Sequence, residues 1–184
     1  MPLPQEKRYT VEDFYRLPED IRAELINGQL VYMASPGTQH QKIVSRLHAA
    51  IFNYINSKGG NCEVLPAPFS VQLREEDDTV VEPDISVICD PDKLNERGCL
   101  GAPDWIIEVV SPSNPSHDYI TKLSLYYDAK VRLYWIVNPQ SREVHVYNLD
   151  HGDFIATAYT FTDTIDVSIY QDFRIDFSKL GMEA

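Results

Sequence analysis

The sequence predicts an α/β fold, a mixed β-sheet flanked by helices with antiparallel hairpins in its N- and C-terminal parts. Three observations carry this. Apolar residues recur along the chain at strand spacing in some segments and helix spacing in others. A strand, helix, strand succession is legible in Trp105-Ile106-Ile107-Glu108-Val109-Val110, a helix over about residues 116–129, and Leu133-Tyr134-Trp135-Ile136-Val137. A crossover of that length sets two parallel strands side by side. Hairpin signals stand near both ends: Asn27-Gly28 between two short apolar runs, and Asp150-His151-Gly152-Asp153 between residues 144–149 and 154–161.

Taken in order, Thr10-Val11-Glu12-Asp13 reads as a capping box opening a short helix that Pro18 ends. Glu24-Leu25-Ile26 and residues 29–33 form the hairpin around Asn27-Gly28. Residues 38–58 carry Ile43, Val44, Leu47, Ala50, Ile51, Tyr54 and Ile55 at helical spacing and stop at Gly59-Gly60, as a helix with a left-handed cap does. Strand character resumes at 62–65 and 69–73, then a polar turn at 75–78 and a strand over 79–89, which together suggest a meander. A loop spans about 90–102. The run 105–110 is apolar enough to be buried on both faces, with Glu108 its one charged member. Ser111-Pro112-Ser113-Asn114-Pro115 supplies breakers and a cap for the helix after it. The tail beyond residue 161 has no clear pattern.

A chain of 184 residues, 43% hydrophobic and 24% charged, closes one sizeable core, so a single domain over 1–184 is expected. The first residues lack an apolar signal-like region and no stretch is apolar enough to span a bilayer. Cys62, Cys89 and Cys99 are far apart and form no CxxC pair, which suggests neither a disulfide nor a zinc cluster and fits a cytoplasmic protein. The net charge of −12 counts against a broad basic face for a polyanion. It is compatible with carboxylates that hold divalent cations, since the metal returns positive charge to the site.

Chemistry begins with Glu108, because a carboxylate inside a buried strand costs several kcal/mol unless paired or bound to metal. It shares a face with Ile106 and Val110, so a neighbouring strand can present a partner. Asp84, in Val81-Glu82-Pro83-Asp84-Ile85, is the candidate, and Pro83 implies an edge or bulge that re-aims it. Two converging carboxylates suit Mg²⁺ or Mn²⁺. Lys122 stands i, i+4 from both Asp118 and Tyr126, which offers an acid, a cation and a phenol on one helical face, and it is placed to orient water or neutralise charge on a phosphate. Each residue also has a plain alternative. Glu108 can be salt-bridged by a Lys or Arg, Lys122 included; Asp84 can belong to a turn; Lys122 can be a solvated helix lysine. His40 reads as a hydrogen-bond donor into the site or, less simply, a metal ligand. Lys42, Arg46 and His48 form either a phosphate-facing strip or a solvated helix face, and Tyr126, Tyr127, Tyr134 and Trp135 either a base-stacking set or core.

Pro83-Asp84, Glu108 in a strand and Lys122 on the next helix resemble the PD-(D/E)XK, restriction-endonuclease-like superfamily. Within it, Ala23-Glu24-Leu25-Ile26-Asn27-Gly28-Gln29, Gln39-His40-Gln41, Glu82-Pro83-Asp84-Ile85, Ile107-Glu108-Val109-Val110-Ser111-Pro112-Ser113 and Leu133-Tyr134-Trp135-Ile136-Val137-Asn138-Pro139 resemble, in order, the landmarks of the Uma family of restriction-endonuclease-like proteins over roughly residues 9–150. The resemblance implies Asp84 and Glu108 as metal ligands with the Val109 carbonyl as a third, Lys122 as catalytic lysine, and Glu24 as an upstream acid holding a second cation or a water. Val110 stands where the superfamily's lysine usually sits; in the Uma family that lysine has moved to the helix. Leu133 and Asn138 replace the usual Glu and Asp and read as structural. The implied activity is hydrolysis of DNA phosphodiester bonds with Mg²⁺ or Mn²⁺, with a homodimer to cut two strands. A binding module that keeps the fold without catalysis is the rival reading.

Overall fold

The structure is a computed structural model that describes residues 7–111, 117–150 and 155–182. It opens with α1 (Val11–Tyr15), whose capping box pairs Thr10 and Asp13 reciprocally. The hairpin β1 (Ala23–Ile26) and β2 (Gln29–Tyr32) turns on Asn27 and Gly28, both at positive φ, the backbone a two-residue primed turn demands. Helix α2 (Thr38–Lys58) ends at Gly59 in the left-handed region, as the glycine pair predicts.

After α2 the chain does not form the expected meander. β3 (Glu63–Pro66), β4 (Val71–Gln72), β5 (Val80–Val81) and β6 (Ile85–Ile88) are dealt between two sheets. The strand expected over 79–89 breaks at Glu82-Pro83-Asp84, so that β5 pairs with β1 and β4 while β6 pairs with β3 and with the strand that carries Glu108. Pro83 lacks the N–H a continuous ladder needs. Inside the expected loop at 90–102 lies a small hairpin, β7 (Leu94–Asn95) and β8 (Gly98–Leu100), which joins β4.

β9 (Trp105–Val109) is buried throughout and runs parallel to β10 (Leu133–Asn138), as the crossover predicts. Antiparallel β11 (Glu143–Asn148) and β12 (Ile155–Thr160) extend that sheet; most of the turn expected between them lies outside the described residues. The sheets thus read β2-β1-β5-β4-β8-β7 and β12-β11-β10-β9-β6-β3, with β13 (Thr164–Asp166) and β14 (Arg174–Asp176) as a separate ribbon. The tail is ordered by burial: Ile165, Val167, Phe173, Ile175 and Phe177 enter the core beside α2.

The second sheet has an apolar layer on each face. On one, Ile43, Val44, Leu47, Ile51 and Ile55 of α2 pack with Trp105, Ile107, Val109, Leu133, Trp135 and Val137. On the other, Ile106, Val110, Tyr134 and Ile136 meet Tyr126 of α3 (Leu123–Ala129). Tyr126, Tyr134 and Trp135 are wholly buried, so the aromatic run is core. The helix expected over 116–129 is not α-helical throughout: His117–Lys122 is a π-helix that leads into α3. Residues 112–116, where its cap was expected, and the side chain of Asp118 lie outside what is described.

The cysteine reading also needs correction. Cys62 and Cys89 form a disulfide. They extend the register that pairs Glu63 with Ile88, so antiparallel strands bring together two thiols that sequence distance holds apart. Among the described residues no helix is long and apolar enough to cross a membrane.

Leu47 is wholly buried at the centre of the α2 contact. Leu47→Ala is expected to cost about 3 kcal/mol, from lost burial plus the cavity left behind. Urea unfolding at unchanged m-value would show it as a lowered midpoint.

Candidate active site

The site forms where the two sheets meet. β1 delivers Glu24 from the first sheet, the β5–β6 break delivers Asp84, β9 delivers Glu108 from the second sheet, and the π-helix delivers Lys122. All four, with Val109, line a cavity of about 430 Å³ that also includes Arg22, His40, Glu82, His117 and Gln140. Val109, Val110 and Pro139 place it just past the carboxyl ends of parallel β9 and β10, where α/β sheets commonly bind ligands.

Lys122 is buried, its side chain only 6% exposed. Its Nζ lies 2.8 Å from Glu108 Oε1 and 3.0 Å from Glu24 Oε1. Three buried charges in a row are tolerable because each carboxylate faces the shared ammonium and gains further donors. Tyr126 donates to Glu108 Oε1 at 2.8 Å, and the Asp84 N–H approaches Glu108 Oε2 at 3.4 Å. Glu24 accepts from the Glu82 N–H at 3.0 Å, while His117 Nε2 stands 3.4 Å from its Oε2. Glu108 is thus salt-bridged to Lys122, the plain alternative for a buried carboxylate, and lines the shared cavity at the same time.

Asp84 forms the second half of the site. Its Oδ2 accepts from the Val109 N–H at 2.7 Å and lies 3.2 Å from His40 Nε2. The bond to Val109 ties the β5–β6 break to the end of β9. The position of Asp84 beside Glu108 follows from register, since Ile85 is paired with Ile107.

These contacts set the protonation of the cluster. Burial pushes the Glu24 carboxyl up, but the Lys122 charge, then His117 and the Glu82 N–H, outweigh it and hold it at about 2. Tyr126 is driven well above its ordinary range by burial and then by the charges of Glu108 and Glu24, so it stays a donor. Burial lowers His40, yet hydrogen bonding and charge from Asp84 raise it overall, with the Val109 backbone also contributing.

As to metal, the donor set fits in kind: two carboxylates, Asp84 and Glu108, and the Val109 carbonyl are hard oxygen donors of the sort Mg²⁺ and Mn²⁺ take. Among the described residues no three His, Cys, Asp or Glu side chains are gathered as a metal-ligating group. Glu24, expected to serve a second cation or water, directs its oxygens to Lys122, Glu82 and His117. Leu133 is core, and Asn138 caps a turn by accepting from the Gln140 and Ser141 N–H groups.

The place of His117 escapes α-helical arithmetic, and the depth of Glu24 is not legible from its hairpin. Helical i, i+4 spacing pairs Lys122 with Asp118, whereas the π-helix bonds i to i+5 and brings His117 and Lys122 to the same carboxylate. Glu24 is 1% exposed in a strand buried at every position, although a two-strand hairpin alone gives no sign of that. The signal available in the sequence was a lone acid between Ala23 and Leu25-Ile26.

A crystal structure of a "putative nuclease belonging to DUF820" from Anabaena variabilis superposes with a TM-score of 0.74 over 93% of this chain and 96% of that one, at 20% identity. The two chains thus share one architecture. The family model Uma2, described as "Putative restriction endonuclease", matches residues 11–178, and the chain belongs to that family. The match includes the tail beyond residue 150. An uncharacterized protein of Synechocystis sp., slr1290, is 28% identical over 162 residues, covering 86% of this chain and 84% of that protein.

Because the Glu24 carboxyl falls from an ordinary 4.5 to about 2 on folding, the unfolded chain binds the extra proton between those values. Its contribution to stability is full above pH 4.5 and is lost as pH falls toward 2. Urea midpoints measured from pH 6 down to about 2 are expected to fall more steeply for the unaltered protein than for Glu24→Gln; parallel curves would contradict this role of Glu24.

Proposed function

We propose that this protein is a metal-dependent endonuclease that hydrolyses DNA phosphodiester bonds, acting as one restriction-endonuclease-like domain over 1–184. The observation that carries the reading is a buried lysine clamped between two buried carboxylates, with a third carboxylate alongside, in a cavity at the carboxyl ends of parallel strands. A cluster with only a structural task would be more stable as packed apolar residues, so its retention in an open cavity favours chemistry.

In this reading Asp84, Glu108 and the Val109 carbonyl hold Mg²⁺ or Mn²⁺, which when bound acidifies a water and offsets charge on the phosphate. Lys122 keeps its proton between Glu24 and Glu108 and presents an N–H to the attacking water or to a phosphate oxygen, where negative charge grows as the new P–O bond forms and the ester P–O bond breaks. Glu24 is a positioning residue: it fixes the lysine and is itself fixed by His117 and the Glu82 N–H. Tyr126 holds Glu108 and His40 holds Asp84, which keeps each carboxylate aimed before substrate arrives. Cutting both strands of a duplex needs two such sites, the reason for proposing a homodimer, and the cytoplasm is proposed as the compartment that holds the substrate.

Incubated with Mn²⁺, the protein is expected to nick plasmid, with Lys122→Met reducing turnover by about 100-fold or more. Circular dichroism on the variant separates lost chemistry from lost folding. Intact plasmid, single-stranded DNA and RNA, with Lys122→Met indistinguishable from the unaltered protein, would sink the catalytic reading.

The rival, a non-catalytic module on the same fold, draws on the net charge of −12. Calorimetry divides the two. Mn²⁺ heat is expected to disappear in Asp84→Asn and persist in Glu24→Gln, whose defect lies in turnover; absence of any Mn²⁺ binding at millimolar concentration favours the module.

A further inference from the structure

The acidity of this chain is unevenly placed. It holds 28 Asp and Glu residues, yet none from Leu25 through Cys62. That interval includes β2, the segment leading into α2 and the whole of α2, which carries Lys42, Arg46 and Lys58. Two of its basic residues are occupied elsewhere: His48 lies 3.2 Å from the Val64 carbonyl, and Lys58 is paired with Asp172. Lys42 and Arg46 remain on the N-terminal half of the helix. With Thr38, Gln41 and Ser45 they line a shallow groove of about 450 Å³.

This groove borders the active-site cavity. Pro36, Gly37 and Thr38 line both. Lys42 and Ser45 are exposed, and among the described residues neither Lys42 nor Arg46 has an acidic partner; Arg46 donates to the Gly181 carbonyl, which fixes its guanidinium near the groove. The side chains are of the types that meet phosphate and sugar rather than base edges, and they recur at i, i+3, i+4, i+7 and i+8, so they share one side of the helix.

We propose that this acid-free wall of α2 is the seat of the DNA backbone, which runs from the active-site cavity along Thr38, Gln41, Lys42, Ser45 and Arg46. The inference rests on the proposed nuclease activity and adds where the substrate lies. Lys42 and Arg46 neutralise phosphates, while Thr38, Gln41 and Ser45 donate hydrogen bonds to their oxygens. Because these groups contact phosphate, the wall holds DNA without sequence preference and brings a strand to the carboxylates from one side. It also accounts for how a strongly acidic protein admits a polyanion: the repelling charge is kept off the surface the strand follows.

The test is DNA binding by the full chain in Ca²⁺, read as anisotropy of a fluorescein-labelled duplex while salt is varied. Neutralising one phosphate contact in B-DNA shifts the slope of log K against log salt by about 0.9. Lys42→Gln is expected to make the slope shallower by that amount, and Lys42→Glu to weaken binding by at least about tenfold. Lys58→Glu, on the same helix but paired with Asp172, serves as the control and is expected to bind as the unaltered protein does. If the unaltered protein binds and cuts DNA while Lys42→Glu matches it, the wall is wrong and the nuclease reading stands. Equal losses in Lys42→Glu and Lys58→Glu would show diffuse charge attraction and also overturn the wall. If the unaltered protein neither binds nor cuts DNA, both readings fall.

Discussion

A lysine ammonium sealed between two carboxylates is the contact on which the rest of the site depends. None of Lys122, Glu24 and Glu108 would be tolerated alone at its depth, since an unpaired buried ion costs several kcal/mol. Together they bind three parts of the fold that share no hydrogen-bonded ladder: β1 in one sheet, β9 in the other, and the helix between β9 and β10. The site is therefore a structural joint as well as a chemical one. Tyr126 and the Glu82 N–H complete it from either side.

The second constraint is the break at Glu82-Pro83-Asp84. A continuous strand would keep one sheet and bury Asp84 in its ladder. Instead the chain crosses from β5 to β6, the Asp84 carboxylate accepts from the Val109 N–H, and the Glu82 N–H is turned toward Glu24. One departure from regular pairing thus supplies a candidate ligand, a donor and the seam between the sheets, as bulges and breaks near functional sites commonly do.

Charge is arranged with the same local logic. The net charge of −12 is opposed to a polyanionic substrate at long range, but it does not set the field at a particular wall. In the cavity the carboxylates face Lys122 and Arg22, the latter paired with Glu82, while His40 and His117 stand within hydrogen-bonding reach of Asp84 and Glu24. Along α2 acids are absent altogether. Segregating like charges within the chain gives a local field whose sign the total does not reveal.

Much of this was legible in the sequence because local physics fixed it. The Thr10 capping box, the Asn27-Gly28 turn and the Gly59 cap each depend on a few neighbouring residues, and the period of Ile43, Leu47, Ile51 and Ile55 marks one face of α2 without reference to anything else. Glu108 was conspicuous for the same reason, a charge in an apolar run. What only the tertiary structure decided depends on partners distant along the chain. The strands of 62–89 were assigned to two sheets by long-range pairing, Cys62 met Cys89 through antiparallel register, and the tail found order only against α2. Glu24 could not be seen as a buried charge until Lys122, His117 and Glu82 were brought against it, and His117 could not be placed until a π-helix replaced i, i+4 spacing with i+5. Sequence determined which residues were chemically out of place; the fold decided that Lys122 is the cation they share.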